Sequence, residues 1–279
     1  MKEGLITDFV KYTELPRDRA TLNAWCRSIY ALYPVVNLSV EFHTSMLMNN
    51  IKVTYPKIGD RMKRIYQDIW KLIDLENALN EYWILGEVFL NMELAEDTEN
   101  TATWQKMKIL NPDYIHVKRS CVMGESIISL RPDENLRRIC MSSRPSDIKQ
   151  REALDPKIVE HVRLGENIPL SNFYTTMIQD KKSPYEIRGT SMLIPALDRI
   201  RKEGTDESVK ELLCYPHGEH KHVCWDVFRN RLQRTGGQFS RWLEDKVFGP
   251  VAKMNDVESI PTVTFDVDKA IKLHAQGVA

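Results

Sequence analysis

At Gly86 the spacing of apolar residues changes character, and that change limits what the chain can become. Before it, Ala78, Leu79, Tyr82 and Trp83 recur in steps of three and four, the period of a helix with one buried face. After it, EVFLNMEL, the polar run AEDTENTAT and WQKMKIL read as two strands around a loop, a β-hairpin. A chain that carries both periods in one continuous stretch is mixed helix and sheet.

Helices dominate the part before the switch. Leu22, Trp25, Ile29, Leu32 and Tyr33 predict an amphipathic helix from Asp18 to about Tyr33, which Pro34 ends or kinks. The following VVNLSVEFHTSMLMNN is apolar on several sides, the mark of a more buried helix, and IKVTYP reads as a short strand stopped by Pro56. Asp60 is placed to cap a longer helix whose stripe is Met62, Ile65, Tyr66, Ile69, Trp70 and Ile73.

Beyond the hairpin, NPDYIHVKRS adds a turn and a third strand and ESIISLRP a fourth, together a small antiparallel sheet. Asp113 in this turn is better explained as a turn residue than as a catalytic carboxylate. Residues 132 to 155 are charged and weakly patterned, and read as loop with partial helix. DPKIVEHVRLGENIP is a short helix with Asp155 as cap and Gly165 as stop, and NFYTTMIQD is a strand. Thr190 to Lys202 restarts a helix with Met192, Leu193 and Leu197 inward and Pro195 near its first turn. A final long helix is expected from about Trp225 to Phe248, with Phe228, Leu232, Phe239, Trp242, Leu243 and Val247 on one face. It would span roughly 35 Å, with Gly236-Gly237 weakening or kinking its middle. A linker after Pro250, a strand TVTFDV and a helix start DKAIKLHAQGVA close the chain. The expected class is α+β: long amphipathic helices with a small antiparallel sheet.

Composition narrows the function classes. The chain is 42% hydrophobic and 28% charged, with 39 basic and 39 acidic residues, which is soluble globular usage and not that of a disordered chain. A net charge near zero argues against a protein that grips DNA over its whole surface, though not against one that DNA passes. No stretch approaches 18 apolar residues and the N-terminus lacks the apolar core of a signal peptide, so the expected site of synthesis is the cytoplasm. The five cysteines are odd in number and mostly scattered, which favours reduced thiols over a disulfide framework.

The sequence holds no phosphate loop, dinucleotide fingerprint, nucleophile elbow or HExxH pair. Its densest constellation is CYPHGEHKHVC, with Cys214, His217, His220, His222 and Cys224. Thiolate and imidazole are preferred zinc ligands, and three or four of them on a folded loop could close a tetrahedral site. The spacing fits no common zinc finger, however, and a polar loop with packed cysteines at its ends is the reading favoured here. Basic clusters stand at RMKR (61 to 64), LRR (136 to 138), KK (181 and 182), RIRK (199 to 202) and RNRLQR (229 to 234). Solvated helix faces account for most of them; Arg229, Arg231 and Arg234 are the best candidates for phosphate contact. The six tryptophans fall mostly on apolar stripes, where core packing is expected.

Four phrases, in order, carry a resemblance. LPRDRATLNAWCRSIYALYPVVNLSVEFHTSM looks like the N-terminal helices of portal proteins of tailed bacteriophages. LNEYWILGEVFLNMELAEDTENTATWQKMKILNPDYIHVKRS is similar to the wing region of those proteins. IPLSNFYTTMIQDKKSPYEIRGTSMLIPALDRI resembles their pattern of a strand, a basic turn and SPYxxRGTS opening a helix, and RLQRTGGQFSRWLEDKVFGPVAKMND resembles a later helix. Together the phrases cover a little under half of the chain.

The resemblance implies a structural subunit and no enzyme: a homo-oligomeric ring, usually a dodecamer, at one capsid vertex of the virion, assembled in the host cytoplasm. Such a ring serves DNA packaging and ejection, contacts the major capsid protein, docks the terminase and later the neck or tail adaptor proteins, and passes double-stranded DNA. It implies no active site and no cofactor, the ATP chemistry belonging to the terminase. Helices apolar on more than one face, such as residues 35 to 48, fit surfaces completed by a neighbouring subunit.

The sequence departs from the family in two places. Between Lys202 and Trp225 about twenty residues stand where a portal carries its stem helices and clip, and the sequence ends at Ala279, where a crown region would continue. A reduced relative and a longer protein whose stem residues are not in this sequence both fit; the second is favoured. The expected organisation is a wing-like region over 1–202, a residual or gapped stem and clip segment over 203–224, and a long helix with the start of a crown-like region over 225–279. Two other readings stand beside this one: a non-portal capsid or adaptor protein, told apart by subunit count and position at the vertex, and a metal-dependent nucleic-acid enzyme using the Cys/His cluster, told apart by metal analysis.

Overall fold

The computed structural model describes residues 15–16, 18–96, 101–119, 126–181, 186–202, 209, 213, 221–269 and 271, without the side chains at 96, 201–202 and 221–224. Helix α1 (Arg19–Leu32) starts where the Asp18 carboxylate accepts the Thr21 amide at 2.8 Å. Pro34 does not kink α1. It is the first residue of α2 (Pro34–Met48), a position where its missing N–H leaves nothing unpaired. As its sequence suggests, α2 buries residues around much of its girth, among them Val36, Val40, His43 and Leu47. Helix α3 (Asp60–Leu72) is capped by Gly59, so Asp60 sits inside the first turn and not at the cap; Tyr66 and Ile69 on its stripe are fully buried. Helix α4 (Leu75–Leu85) stops at Gly86, which takes a left-handed φ of 77°.

The period switch at Gly86 is realised as β2 (Glu87–Glu96), which pairs antiparallel with β3 (Ala102–Leu110) on one side and β7 (Thr175–Gln179) on the other. The third and fourth strands do not join this sheet. A 3-10 turn at Pro112–Tyr114 redirects the chain, and β4 (Ile115–Arg119), β5 (Ser126–Leu130) and β6 (Ile168–Leu170) form a second three-stranded antiparallel sheet. The alternation of β2 lets it serve two cores: Val88, Leu90 and Met92 face the helices, while Phe89 packs with Ile115, Val117 and Ile128 of the second sheet. A third pairing is the most distant in sequence: β1 (Ile51–Thr54) lies antiparallel to β8 (Thr262–Phe265).

The charged stretch read as loop with partial helix holds two helices, α5 (Glu134–Met141) and α6 (Pro145–Glu152), followed by α7 (Pro156–Arg163). Each is too short for a clear stripe. They are fixed by their starts, with Asp133 accepting the Leu136 amide at 2.7 Å and proline at the head of α6 and α7, and by a small core of Cys140, Val162 and Ile168. Asp155 and Gly165 act as cap and stop of α7, as the sequence suggests.

Helix α8 (Leu193–Lys202) buries Leu193 and Leu197. The long helix α9 (Lys221–Trp242) continues through Gly236-Gly237, where Gly236 lets the helix backbone meet the Phe265 side chain on β8. Pro250 does not end it. A π-helical turn (Leu243–Phe248) leads into α10 (Gly249–Met254), whose first turn needs no proline N–H. The Trp104 indole donates to the Val247 carbonyl in the π turn at 2.8 Å, and the Trp242 indole donates to Thr176 at 2.8 Å. One core joins the residues on either side of 203–224, with Val36, Leu47, Tyr82, Leu193 and Leu197 packed together with Phe228, Leu232, Phe239 and Leu243.

Candidate functional site: the Arg-Gly-Thr junction and the arginines of the long helix

Arg188, Gly189, Thr190 and Ser191 cross the chain at Gly86 and Glu87, where α4 turns into β2. The crossing is tight enough that a β-carbon on Gly189 would lie 1.9 Å from the Gly86 carbonyl oxygen. A β-carbon on Gly86 would lie 2.3 Å from the Thr190 carbonyl carbon. Backbone bonds pin the segment: the Asp180 amide donates to the Gly86 carbonyl at 2.7 Å and the Thr190 amide to the Asp180 carbonyl at 2.8 Å. Ser191 then caps α8, its hydroxyl accepting the Leu193 amide at 2.9 Å and donating to the Ile84 carbonyl.

The Glu87 carboxylate is wholly buried at this crossing. It accepts from Arg188 Nε at 3.0 and 2.8 Å, from Arg188 Nη2, from the Gly189 amide at 3.0 Å, and pairs with Arg19 Nη2 at 3.1 Å. Arg188 spends its other donors on the second sheet and its leading turn, at the Ile115 carbonyl (2.7 Å) and the Pro112 carbonyl (3.1 Å). One guanidinium thus ties both sheets to the end of α4. Every nitrogen of the guanidinium donates to a protein acceptor, so Arg188 serves here as a tie between the two sheets.

A second ion network fixes α1 to the turn before β4. Arg27 pairs with Asp113 at 2.7 Å and with Glu81 at 3.6 Å, and Asn23 donates to Asp113 at 2.7 Å. Burial raises the Glu81 pKa, an effect partly offset by Arg27. Asp113 is the turn residue its sequence suggests, since Asn111 accepts its amide at 3.1 Å, and it also anchors Arg27.

On α9 the three candidate phosphate contacts already have partners. Arg229 pairs with Asp268 at 2.7 Å, Arg234 with Asp180 at 2.9 Å, and Arg231 Nη1 donates to the Leu213 carbonyl at 3.4 Å. The Cys/His cluster cannot be placed in the same way. Cys214, His217 and His220 lie outside the described residues, as do the side chains of His222 and Cys224. Among the described residues no group of three or more His, Cys, Asp or Glu side chains is arranged to hold a metal ion.

Sequence reasoning missed His43, which stands among apolar residues in α2. The ring is fully buried between Trp83 and Phe228, at centroid distances of 5.0 and 4.8 Å. Its Nδ1–H donates to the Ser39 carbonyl at 2.6 Å, while Nε2 has no hydrogen-bond partner. Burial, reinforced by the positive charge of Arg231, lowers its pKa from 6.5 to about 3. Because the folded pKa lies below the unfolded one, the unfolded chain alone takes up this proton between pH 6.5 and 3, so the contribution of His43 to stability falls as the medium is acidified. The expected loss is about 2–3 kcal/mol between pH 6.5 and 4.5. Urea melts at these two pH values check it: His43→Leu is expected to remove most of the difference, and an unchanged difference would show that other groups cause it.

No protein-family model matches this sequence, and no curated protein is significantly similar to it.

Proposed function

We propose that the chain is a portal subunit: a structural protein that closes into a ring at a capsid vertex, passes double-stranded DNA during packaging and ejection, and docks the terminase and then the neck or tail proteins. The observation that carries this reading is the use made of the phrase SPYEIRGTS, where the resemblance is most specific. In its second half, Arg188 bridges two sheets, Gly189 permits the crossing at Gly86, and Ser191 caps α8. A phrase fixed in this way is one a scaffold would preserve, whereas a catalytic phrase would leave a polar head free toward a cleft. The position of the departure from the family agrees with the reading. Helix α8 ends at Lys202, where the resemblance puts the start of stem and clip, and α9 begins at Lys221, within the last four residues of that segment.

Negative-stain electron microscopy of the purified chain tests the proposal. Rings with a central hole are expected; monomers, or compact particles without a hole, would overturn it.

A further inference from the structure

Among the described residues, the main hydrophobic core takes none between Ile109 and Ile178. The chain in that interval builds a body of its own. Sheet β4–β5–β6 and helices α5, α6 and α7 pack on one another around Cys140, Val162 and Ile168, joined by Leu130, Leu136 and Leu154. Their apolar contact with the rest of the chain runs through a small cluster in which Phe89, Leu110 and Met177 meet Ile115, Val117 and Ile128.

Entry and exit lie side by side. Leu110 at the end of β3 and Met177 on β7 pair with Phe89 from opposite sides, so they stand two strand spacings, about 10 Å, apart. Beside this neck, clefts separate the two bodies. One, of about 520 Å³, lies between Ala20 on α1 and Arg131, Pro132 and Asn135. The other, of about 290 Å³, lies between Ser126 on β5 and Thr176 and Lys246. Polar ties cross at the entry turn, where Arg188 donates to the Pro112 and Ile115 carbonyls and where Asn23 and Arg27 hold Asp113.

We infer that β4–β6 and α5–α7 form an inserted unit that unfolds and refolds on its own about this neck while the main core stays intact, and that its opening bares an apolar face of the β3–β2–β7 sheet at Phe89, Leu110 and Met177. Burial stabilises roughly in proportion to the apolar area removed from water. A unit with a core of a few side chains therefore opens at a lower cost than a body whose core spans α1 to α4 and α8 to α10. The cost falls on Phe89 and its partners, because the main core loses none of its own members when the unit leaves. Arg188 gives up two carbonyls on opening but keeps Glu87, so the ions of the junction stay paired. The inference holds whether or not the chain closes into a ring.

Native-state hydrogen exchange of the full chain at several low urea concentrations tests it. The slowest amides of β5 and α7 are expected to share one opening and to exchange at least about tenfold faster than the slowest of α4 and α9. They should also show a shallower dependence on urea, because their opening exposes less surface. Ile69→Val, a mild change at a fully buried position of the main core, raises the energy of the closed chain and of the unit-open chain alike. It should therefore speed exchange in α4 and α9 about three- to tenfold and leave β5 and α7 within about twofold of wild type. Equal protection and equal urea slopes in the two bodies would overturn the inference, as would an Ile69→Val variant that speeds exchange in both by the same factor. Should Ile69→Val alter neither body, the wild-type protection and slopes decide.

Discussion

Gly189→Ala is expected to unfold the chain, with a loss of more than about 4 kcal/mol. The new β-carbon would lie 1.9 Å from the Gly86 oxygen and 2.6 Å from the Gly86 carbonyl carbon. Both atoms belong to backbone, so no side chain can rotate away to make room. Relief requires the two segments to separate by more than an ångström, and that movement breaks the contacts made on either side of the crossing. The Gly189 amide would leave Glu87, and the Asp180 amide would leave the Gly86 carbonyl. Gly237→Ala provides the contrast. Nothing lies within 4 Å of a β-carbon there and the residue sits inside α9, so alanine should stabilise the chain by about 1 kcal/mol through helix propensity. Chemical denaturation of the two variants decides the matter: a Gly189→Ala protein within about 1 kcal/mol of wild type would mean that the crossing is looser than described.

This contrast shows where sequence reasoning has purchase. Gly86 was legible, because a glycine that ends a helical stripe and opens a strand is a local signal, and it is found with the positive φ such a position needs. Gly189 was not, because its neighbour in space lies about a hundred residues away in sequence. The same division runs through the fold. The stripes of α1, α3 and α4 and the β2–β3 hairpin depend on nearby residues and could be read. The splitting of the strands into two sheets depends on which edges meet, which no local period specifies. Helices α5 and α6 were read only as loop with partial helix because eight residues hold barely two turns, and the packing of α5 against α6 and α7 replaces the missing stripe.

Charged side chains were the hardest to read. In the sequence RNRLQR is the densest arginine cluster, yet its acid partners Asp180 and Asp268 lie on other segments and engage two of its heads. RMKR looks like an ordinary solvated face, and its Lys63 and Arg64 are exposed and without an ion pair among the described residues, as are Arg137 of LRR and Lys181 of KK. Glu87 is a further instance. In EVFLNMEL it occupies the place of a solvent-facing strand residue, whereas it is buried completely and balanced by Arg188 and Arg19.

That balance gives the other large effect. Glu87→Gln keeps the size and shape of the side chain but removes its charge, leaving two guanidinium groups at the junction without a counter-ion. Breaking one partner of a buried pair typically costs about 3–5 kcal/mol, far more than an exposed pair contributes. The amide also carries an NH2 where the carboxylate presents a second oxygen. In the wild type, one oxygen of Glu87 takes Arg188 and Arg19 while the other takes Arg188 Nε and the Gly189 amide, so either orientation of glutamine opposes donor to donor. Arg188→Leu should be comparably damaging, since it leaves Glu87 buried with only Arg19 and the Gly189 amide and removes the bonds to the Ile115 and Pro112 carbonyls. Because both single changes disrupt the same interaction, Glu87→Leu combined with Arg188→Leu should cost less than the sum of the two single leucine variants, by about 2 kcal/mol or more. Guanidinium melts of the set measure that coupling. Strict additivity, or a Glu87→Gln protein within about 1 kcal/mol of wild type, would show that the carboxylate is not held as a buried ion between the two sheets.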